Sequence, residues 1–411
     1  MTVVTVEPSG PSVFEADLPA LSYEQAPNLE AAYRDIQRAL RQRPIAMGPH
    51  GPEVLGYELV RTTLRDVRFR PPPGLGLEAQ GITSGPLWDR VTASLLSVNG
   101  ADHARLRRLV SKAFTPRAVG RLDTTITDII NELIDPLAAT GRCEVVADIA
   151  RPYPVPVICE LLGAPRGDWQ LFSDWADSFF KTFTWNAAEY EAEILAAWGE
   201  LDDYVDNMVA ERRHDLTDDL ISDLIRAEDG GDRLTIEELR MLAGGILMAG
   251  TDTTRNQVAA AVDAFCDHPA QWELLADHPE LAMNAVEEVM RYYPVVFGAM
   301  RMATEDVEIG GVVIPAGTFV TVNTASANRD PGVYDEPDRL DITRQGAPPM
   351  QTFGAGAHYC LGANLARREL AEALAVMARR MRNIHRAGPA TWKPMIGITG
   401  PALLPIEFDA I

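Results

Sequence analysis

The chain has 411 residues, which is enough for one large domain or for two or three domains of average size. Hydrophobic residues make up 46% and charged residues 23% of the chain, so a sizeable core can be buried. The formal net charge of −22 disfavours nucleic acid and anionic membrane surfaces as partners.

We expect the amino-terminal segment not to act as an export signal. It lacks a basic region followed by an apolar stretch, and no window of the chain approaches about 18 uninterrupted apolar residues. Residues 1–25 are rich in Pro, Ser and acidic residues, which predicts a poorly ordered lead-in to a single domain over residues 1–411. Four cysteines lie far apart and form no CxxC pair. We therefore expect a cytoplasmic protein without a membrane anchor.

The next part of the chain mixes two kinds of pattern and then breaks. Residues 49–69 alternate between strand-like and helix-like signals. Residues 71–86 are rich in Pro and Gly, which predicts a long loop of the kind that is often functional. From there to about residue 295, apolar residues recur at three- and four-residue spacing, as is typical of helices.

The clearest of these helices begins at Thr235 and runs to about Cys266. Thr235 and Glu238 fit a capping box at its start. At a rise of 1.5 Å per residue the helix would be roughly 45 Å long, enough to cross a whole domain. Because it is apolar on most faces, we expect it to lie at the centre of the fold.

A polar run, AGTDTT, interrupts this helix at residues 249–254. Gly250 has no side chain, so the helix could open there and free a carbonyl for water or oxygen. Thr253 could donate a hydrogen bond, and Asp252 could relay protons from solvent. A helix cap is the other interpretation, but a cap would leave the apolar periodicity on both sides unexplained.

From Arg301 onward the pattern changes to β-branched alternation with Gly and Pro turns, which predicts a small sheet. A segment rich in Pro, Asp and Gly follows to Gly356, and a last long helix is predicted from about Gly362 to Met381. A short strand-like tail ends the chain. The predicted fold class is therefore mainly α with a small β portion.

Cys360 differs from the other cysteines in its surroundings. It lies in the segment FGAGAHYCLG, whose glycines let the backbone turn tightly and direct amide hydrogens at the sulfur. Gly362 opens a helix whose positive end would face the thiol. A free thiol has a pKa of about 8.5, so a thiolate needs such donors or a metal. The alternatives are an incidental cysteine and a zinc site, although His358 and Cys360 supply two ligands where structural zinc takes four.

This ten-residue segment resembles the haem-binding loop of the cytochrome P450 superfamily. The resemblance covers about residues 30–408 and implies the cytochrome P450 fold, with the long central helix lying over a non-covalent haem b. It implies that Cys360 is the proximal iron ligand, since a thiolate ligand favours O–O cleavage. The AGTDTT segment looks like the family's oxygen-activation segment, which makes Asp252 and Thr253 the expected catalytic pair.

Further residues receive their roles from the same resemblance. The residues expected to bind the haem are His103, Arg107, Arg301, Phe353, His358, Cys360 and Gly362. Those expected to line the substrate pocket are Gly245, Met248, Ala249, Val296, Phe297 and Ile396. Glu288 and Arg291 form an E-x-x-R pair that, with Arg339, resembles the family's buried structural Glu–Arg–Arg network. Taken alone, that spacing is more typical of a solvated surface pair.

The resemblance also implies an activity and its partners. We expect a monooxygenase that uses O2 to hydroxylate a lipophilic molecule such as a fatty acid, terpenoid, steroid or polyketide-like compound. Electrons would come from a separate ferredoxin or flavodoxin with its reductase, docking near Arg105, Arg108 and Lys112, although a solvated helix face is the alternative. Two other hypotheses are a peroxide-driven haem oxidase and a non-catalytic haem-binding sensor or carrier. The Asp252–Thr253 pair argues against both.

Overall fold

A computed structural model of the chain describes residues 10–184, 186–229, 234–395 and 397–411. Helices dominate it, as the periodicity predicted. The helices are α1 (Leu29–Leu40), α2 (Tyr57–Thr63), α3 (Pro86–Thr92), α4 (Gly100–Ser111), α5 (Pro116–Val119), α6 (Asp123–Ala138), α7 (Pro154–Leu162), α8 (Trp169–Phe180), α9 (Ala187–Arg212), α10 (Leu220–Asp229), α11 (Ile236–Asp267), α12 (Pro269–Asp277), α13 (Ala282–Tyr292), α14 (Thr324–Asn328) and α15 (Ala363–Arg380).

The strands form small sheets beside the helices. They are β1 (Ile45–Gly48), β2 (Gly51–Val54), β3 (Phe69–Arg70), β4 (Arg142–Glu144), β5 (Ala299–Ala303), β6 (Val307–Ile309), β7 (Val312–Ile314), β8 (Phe319–Val322), β9 (Met381–Arg386), β10 (Thr391–Trp392), β11 (Pro401–Leu403) and β12 (Pro405–Ala410). The largest sheet has the order β1-β2-β8-β5-β3, and β2 pairs with β8 in parallel. A second sheet has the order β4-β12-β9, and β10–β11 and β6–β7 are two-stranded hairpins.

Helix α11 lies at the centre of the fold and packs against α7, α8, α9 and α15. The predicted capping box is present, since the Glu238 amide donates to Thr235 Oγ1 over 3.2 Å and the Thr235 amide donates to Glu238 Oε2 over 3.1 Å. The helix runs without a break through Gly250, so the expected opening is absent. A Cβ at that position would lie 2.6 Å from Ile158 Cδ1, so the glycine instead allows α7 to approach closely.

Residues 10–25 are packed, which differs from the poorly ordered lead-in expected there. Val13 and Tyr23 are buried in the core, and the Leu21 amide donates to the Met47 carbonyl over 2.9 Å. A few apolar side chains within a segment rich in Pro and acid are enough to anchor it, because each removes apolar area from water. In the part of the chain that the structure describes, no helix combines the length and the apolar character needed to cross a bilayer.

A buried carboxyl group joins this lead-in to the largest sheet. Glu53 in β2 is 2% exposed, and it accepts hydrogen bonds from the Tyr23 hydroxyl over 2.8 Å and from Asn323 Nδ2 over 2.9 Å. Burial raises the pKa of Glu53 to about 7, against the pull of these two donors. The folded protein therefore favours the protonated carboxyl over most of the acidic range.

This raised pKa predicts a pH-dependent loss of stability. The protonated Glu53 carboxyl stabilises the folded protein, and this stabilisation is fully present below the ordinary pKa of 4.5. It is lost as the pH rises through about 7, which lowers the free energy of unfolding by about 3 kcal/mol. Urea unfolding at pH 5 and pH 8 should show this loss in the wild type and not in Glu53→Gln, relative to the exposed-site control Glu58→Gln. Equal losses in Glu53→Gln and in the wild type would contradict the assignment.

Candidate active site

The loop between Phe353 and Gly362 folds back on itself around Cys360. The Cys360 amide donates to the Phe353 carbonyl over 2.9 Å. Gly354 and Gly356 have φ angles of +69° and +71°, a region that L side chains rarely adopt. A Cβ on Gly356 would also lie 2.8 Å from the Leu64 carbonyl oxygen. The turn that presents the sulfur therefore requires glycine at this position.

The surroundings of the Cys360 sulfur have opposing effects on the pKa of its thiol group. Burial raises the pKa of the thiol above its ordinary value. The Gly362 amide, which donates to the sulfur at the start of α15, and the charges of Arg107 and Arg367 act to lower that pKa. Metal coordination deprotonates a thiol outright, and these donors are placed to stabilise the resulting thiolate.

Two histidines lie in contact beside this loop, with their rings tilted by 36° relative to each other. The ring centroids of His103 in α4 and His358 in the loop are 4.1 Å apart, and His358 Nε2 lies 3.1 Å from Asn99 Oδ1. Burial lowers the pKa of both imidazoles, that of His358 to about 4, so both are neutral near pH 7. The buried Nε2 of His103 has no hydrogen-bond partner among the described residues. That atom is free to bond a group from outside the chain.

Two arginines complete the same cluster. Arg107 Nη2 donates to the Tyr359 carbonyl over 2.6 Å, and Arg301 in β5 donates to the Met300 carbonyl over 2.8 Å. Arg301 is 7% exposed, and burial lowers its pKa to about 10. Within the described ranges both guanidinium groups bond to backbone carbonyls and neither pairs with a carboxylate. A buried and a half-buried cation without an anion indicate that an anionic group belongs here.

A haem, the cofactor that the sequence resemblance implies, fits this arrangement. Its iron would take the Cys360 sulfur as a ligand, and its two carboxylates would pair with the guanidinium groups of Arg107 and Arg301. The free ring nitrogen of His103 lies in the same cluster and can donate a hydrogen bond to such a carboxylate. The donor set of the site thus matches the chemistry of the group.

The unpaired charge of Arg301 predicts effects of opposite sign in the haem-free and haem-bound protein. Arg301→Leu should stabilise the haem-free protein by about 1–3 kcal/mol, because it removes an uncompensated buried charge. The same change should speed haem loss to a haem acceptor, because a carboxylate partner is lost. Urea unfolding and haem-transfer kinetics measure the two effects, with exposed Arg61→Leu as the control. A destabilised haem-free variant with unchanged haem transfer would contradict this account.

One face of α11 is open at Gly245, Ala249 and Thr253, which lie four residues apart. No heavy atom lies within 4 Å of where a Cβ on Gly245 would be, and Ala249 is exposed although most of the central part of the helix is buried. The Thr253 hydroxyl donates to the Ala249 carbonyl over 2.8 Å. Met248 is buried and lies about 100° around the helix from Ala249. Its place in the lining of the pocket stays a prediction.

Asp252 lies next to the open face and is largely buried. Burial raises the pKa of its carboxyl group, whereas the charges of Lys393 and Arg255 lower it. Lys393 Nζ lies 3.8 Å from Asp252 Oδ1. A carboxyl group between solvent and the open face can accept and release a proton, as a relay requires.

The other residues predicted to line the pocket are Val296, Phe297 and Ile396, and the first two differ in their surroundings. Val296 forms an isolated β-bridge with Ile398 and is partly exposed. Phe297 is buried, with its ring centroid 6.0 Å from that of Tyr23 and 5.7 Å from that of Tyr33. Successive side chains of an extended segment point to opposite sides, so Phe297 faces the aromatic core. Its place in the lining of the pocket stays a prediction. Ile396 lies outside the described residues.

The predicted structural network is present with a different third member. Arg291 donates to Glu288 over 2.8 and 2.9 Å, and both side chains are buried. Arg344 donates to the same carboxylate over 3.1 and 3.2 Å. The Arg339 side chain is 57% exposed and pairs with Glu336, so Arg339 contributes only its carbonyl, which accepts from both arginines.

The three basic residues expected to dock a redox partner are not equivalent. Arg105 is turned toward the amino terminus of α11, where it forms an ion pair with Glu238. Arg108 and Lys112 are exposed and lie four residues apart on one side of the α4 end. The two latter residues therefore form the more accessible part of the predicted surface.

Sequence reasoning missed Arg344, Arg255 and Lys393. Arg255 lies three residues after Asp252 on the same helix, so the spacing could have revealed it. Its guanidinium pairs with Asp177 over 2.8 Å. Lys393 is 141 positions further along the chain than Asp252, and nothing in the local pattern indicates that the two meet.

The comparisons with known proteins agree with the site. A family model described as Cytochrome P450 matches residues 166–276 and 269–383. The chain is 37% identical over 404 residues to luteothin monooxygenase from Streptomyces thioluteus, covering 96% of this chain and 97% of that protein. It is 39% identical over 392 residues to mycinamicin IV hydroxylase/epoxidase from Micromonospora griseorubida, covering 92% and 95%.

A solved structure gives the same result for the fold. The crystal structure of CalO2 matches with a TM-score of 0.88 at 33% identity, covering 95% of this chain and 99% of that one. Sequence and structure thus match over nearly the whole length, including the helix and loop that carry the site. The chain belongs to the cytochrome P450 family and is a P450 monooxygenase.

Proposed function

We propose that this monooxygenase contains haem b and hydroxylates a lipophilic small molecule with O2 and electrons from a separate ferredoxin-type protein. The observation that carries the proposal is a partly buried cysteine that receives an amide hydrogen bond beside one buried and one half-buried guanidinium group, neither of which has a carboxylate partner among the described residues. Cys360 would hold the iron, and Arg107, Arg301 and His103 would hold the two carboxylates. When bound, the haem supplies the oxidising chemistry.

The protein supplies protons and geometry to that chemistry. Asp252 lies at the edge of α11 and is largely buried, but Lys393 beside it is 39% exposed. Asp252 is therefore placed close enough to solvent to take up a proton. Thr253 is placed to pass a hydrogen bond toward the open face of α11, and its hydroxyl is oriented by the Ala249 carbonyl. Gly245 leaves room for substrate one turn further along the same face.

The substrate belongs, in our proposal, to the polyketide-like class among the lipophilic compounds considered above. Two relatives are named for oxidation of luteothin and of mycinamicin IV. The open face of α11 begins with Gly245 and Ala249, which present no bulky side chain toward a large ligand. Spin-state titration of the haem protein with mycinamicin IV and with lauric acid compares this class with a fatty acid.

Electron delivery from a ferredoxin or flavodoxin is proposed at the surface formed by Arg108 and Lys112. Both side chains are exposed near the helix that carries Arg107, whose guanidinium bonds the residue before Cys360. An acidic redox protein would be steered to this side of a chain whose net charge is −22. A cytoplasmic location remains a prediction.

Replacing Thr253 with Ala separates the proposed hydroxylase from the two other hypotheses. A hydroxylase should lose product by about 10-fold or more and release peroxide instead, because the hydrogen bond that supports proton delivery is lost. A peroxide-driven oxidase should keep most of its peroxide-dependent activity. A sensor or carrier should bind its ligand unchanged and form no product.

The matched control is Thr251→Ala. The Thr251 hydroxyl also donates to the carbonyl four residues earlier, over 2.6 Å, but its side chain is fully buried and faces away from the open side of α11. The ratio of product to NADPH consumed and the peroxide yield are measured for both variants. Equal uncoupling in both variants would attribute the effect to helix distortion and contradict a role for Thr253.

A further inference from the structure

Trp392, Lys393 and Gly400 of the β10–β11 hairpin lie along one face of α11. Trp392 Nε1 donates to Asp263 Oδ2 over 2.8 Å at the far end of that face. Gly400 packs against Asn256 so closely that a Cβ would lie 2.6 Å from Asn256 Oδ1. Next along the same face comes Asp252. The hairpin is thus held against α11 at a side chain hydrogen bond and at a tight backbone contact.

The hairpin is also held from its other side. The Thr399 amide donates to the Val295 carbonyl over 2.9 Å, and Ile398 forms a β-bridge with Val296. Within the hairpin, the Lys393 amide donates to the Gly400 carbonyl over 2.9 Å. The backbone of Lys393 is therefore fixed relative to α11.

We propose that Lys393 is a positioning residue for the relay carboxylate, and that its ammonium group holds Asp252 at the solvent end of the proton path. The two charged atoms are 3.8 Å apart, Lys393 is 39% exposed and Asp252 is 16% exposed. The partly exposed ammonium group of Lys393 therefore lies between bulk water and the Asp252 carboxyl group, which has little exposure of its own. This inference rests on the role of Asp252 in the proposed function.

The other groups that face Asp252 do not replace Lys393. Arg255 in α11 pairs with Asp177 of α8 over 2.8 Å and donates to Ser173 Oγ over 2.6 Å, so its charge is already shared. Asn256 donates to the Asp252 backbone carbonyl over 2.7 Å, and its amide also acts to lower the pKa of the carboxyl group but carries no charge. Over the described ranges, Lys393 forms no ion pair other than that with Asp252.

The chain contains three lysines, Lys112, Lys181 and Lys393, which makes a direct test possible. Reductive ¹³C-dimethylation of the holoprotein keeps each positive charge and labels few sites, and Lys393→Arg identifies the Lys393 signal. In the reduced, CO-bound protein, this signal should show a titration step that is absent from Asp252→Asn. The signal of Lys181, which pairs with Glu193, should be the same in both proteins. A Lys393 signal that titrates identically with and without the Asp252 carboxyl overturns the proposal.

A second measurement tests the consequence for the relay. Removing the charge in Lys393→Met should raise the pKa of Asp252, because a nearby cation stabilises the carboxylate. The alkaline limb of NADPH oxidation, measured with surrogate ferredoxin and reductase without added substrate, should then move up by about one pH unit. Lys393→Arg and the control Lys181→Met should keep the wild-type limb. An unshifted limb in Lys393→Met overturns the proposal.

The spectrum of the CO-bound reduced protein distinguishes the two levels of failure. If the variants and the wild type all lack the red-shifted band of a thiolate-ligated haem, the proposed function fails. If that band is present throughout while neither the Lys393 signal nor the pH limb depends on the pair, only the role of Lys393 fails.

Discussion

Cys360→Ser should lower oxygen-dependent turnover by on the order of a thousand-fold, equivalent to about 4 kcal/mol of barrier, while the fold remains intact. A serine hydroxyl stays protonated near neutral pH and provides no thiolate ligand. The amide of residue 360 bonds the Phe353 carbonyl through the backbone, so the loop does not depend on the sulfur. Product yield, haem content and far-UV circular dichroism measure the three effects.

The matched control for this change is Cys266→Ser. Cys266 is partly buried like Cys360, and burial raises the pKa of its thiol to about 12, so it stays protonated. It lies near the end of α11, away from the loop that ends at Gly362. Turnover of Cys266→Ser should equal that of the wild type. Comparable turnover in Cys360→Ser and the wild type would contradict the assignment of the ligand.

Arg291→Ala should lower the free energy of unfolding by about 3–5 kcal/mol, because it removes a buried partner of the buried Glu288 carboxylate. Arg344→Ala should cost about 2–3 kcal/mol, since Arg291 would still pair with Glu288. Arg339→Ala should cost less than about 0.5 kcal/mol, because its side chain forms only exposed ion pairs. Chemical denaturation of the three variants gives this order directly. A loss in Arg339→Ala as large as that in Arg344→Ala would contradict the corrected network.

The helices that carry the site could be predicted from the sequence because the patterns that indicate them are local. The capping box and the apolar periodicity predicted a helix from Thr235 to about Cys266, and the structure has α11 over Ile236–Asp267. The helix predicted from about Gly362 to Met381 is observed as α15 over Ala363–Arg380. Capping and periodicity act between residues a few positions apart, so they can be read without the fold.

Side-chain partners were less accessible, because they depend on how distant segments meet. Arg339 and Arg344 both lie within seven residues after Pro337, and the local pattern does not indicate which of them turns inward. The φ of +44° at Glu336 starts a turn that leaves Arg339 paired outward with Glu336, and Arg344 reaches Glu288 instead. The Lys393–Asp252 pair is likewise a product of the tail hairpin packing on α11.

An absorption spectrum of the purified, dithionite-reduced protein under carbon monoxide shows whether Cys360 is the thiolate ligand of a haem. We expect the red-shifted Soret band of thiolate-ligated haem in the wild type and its loss in Cys360→Ser. A wild-type protein without a haem band, or with a band typical of histidine ligation, would contradict this role of Cys360.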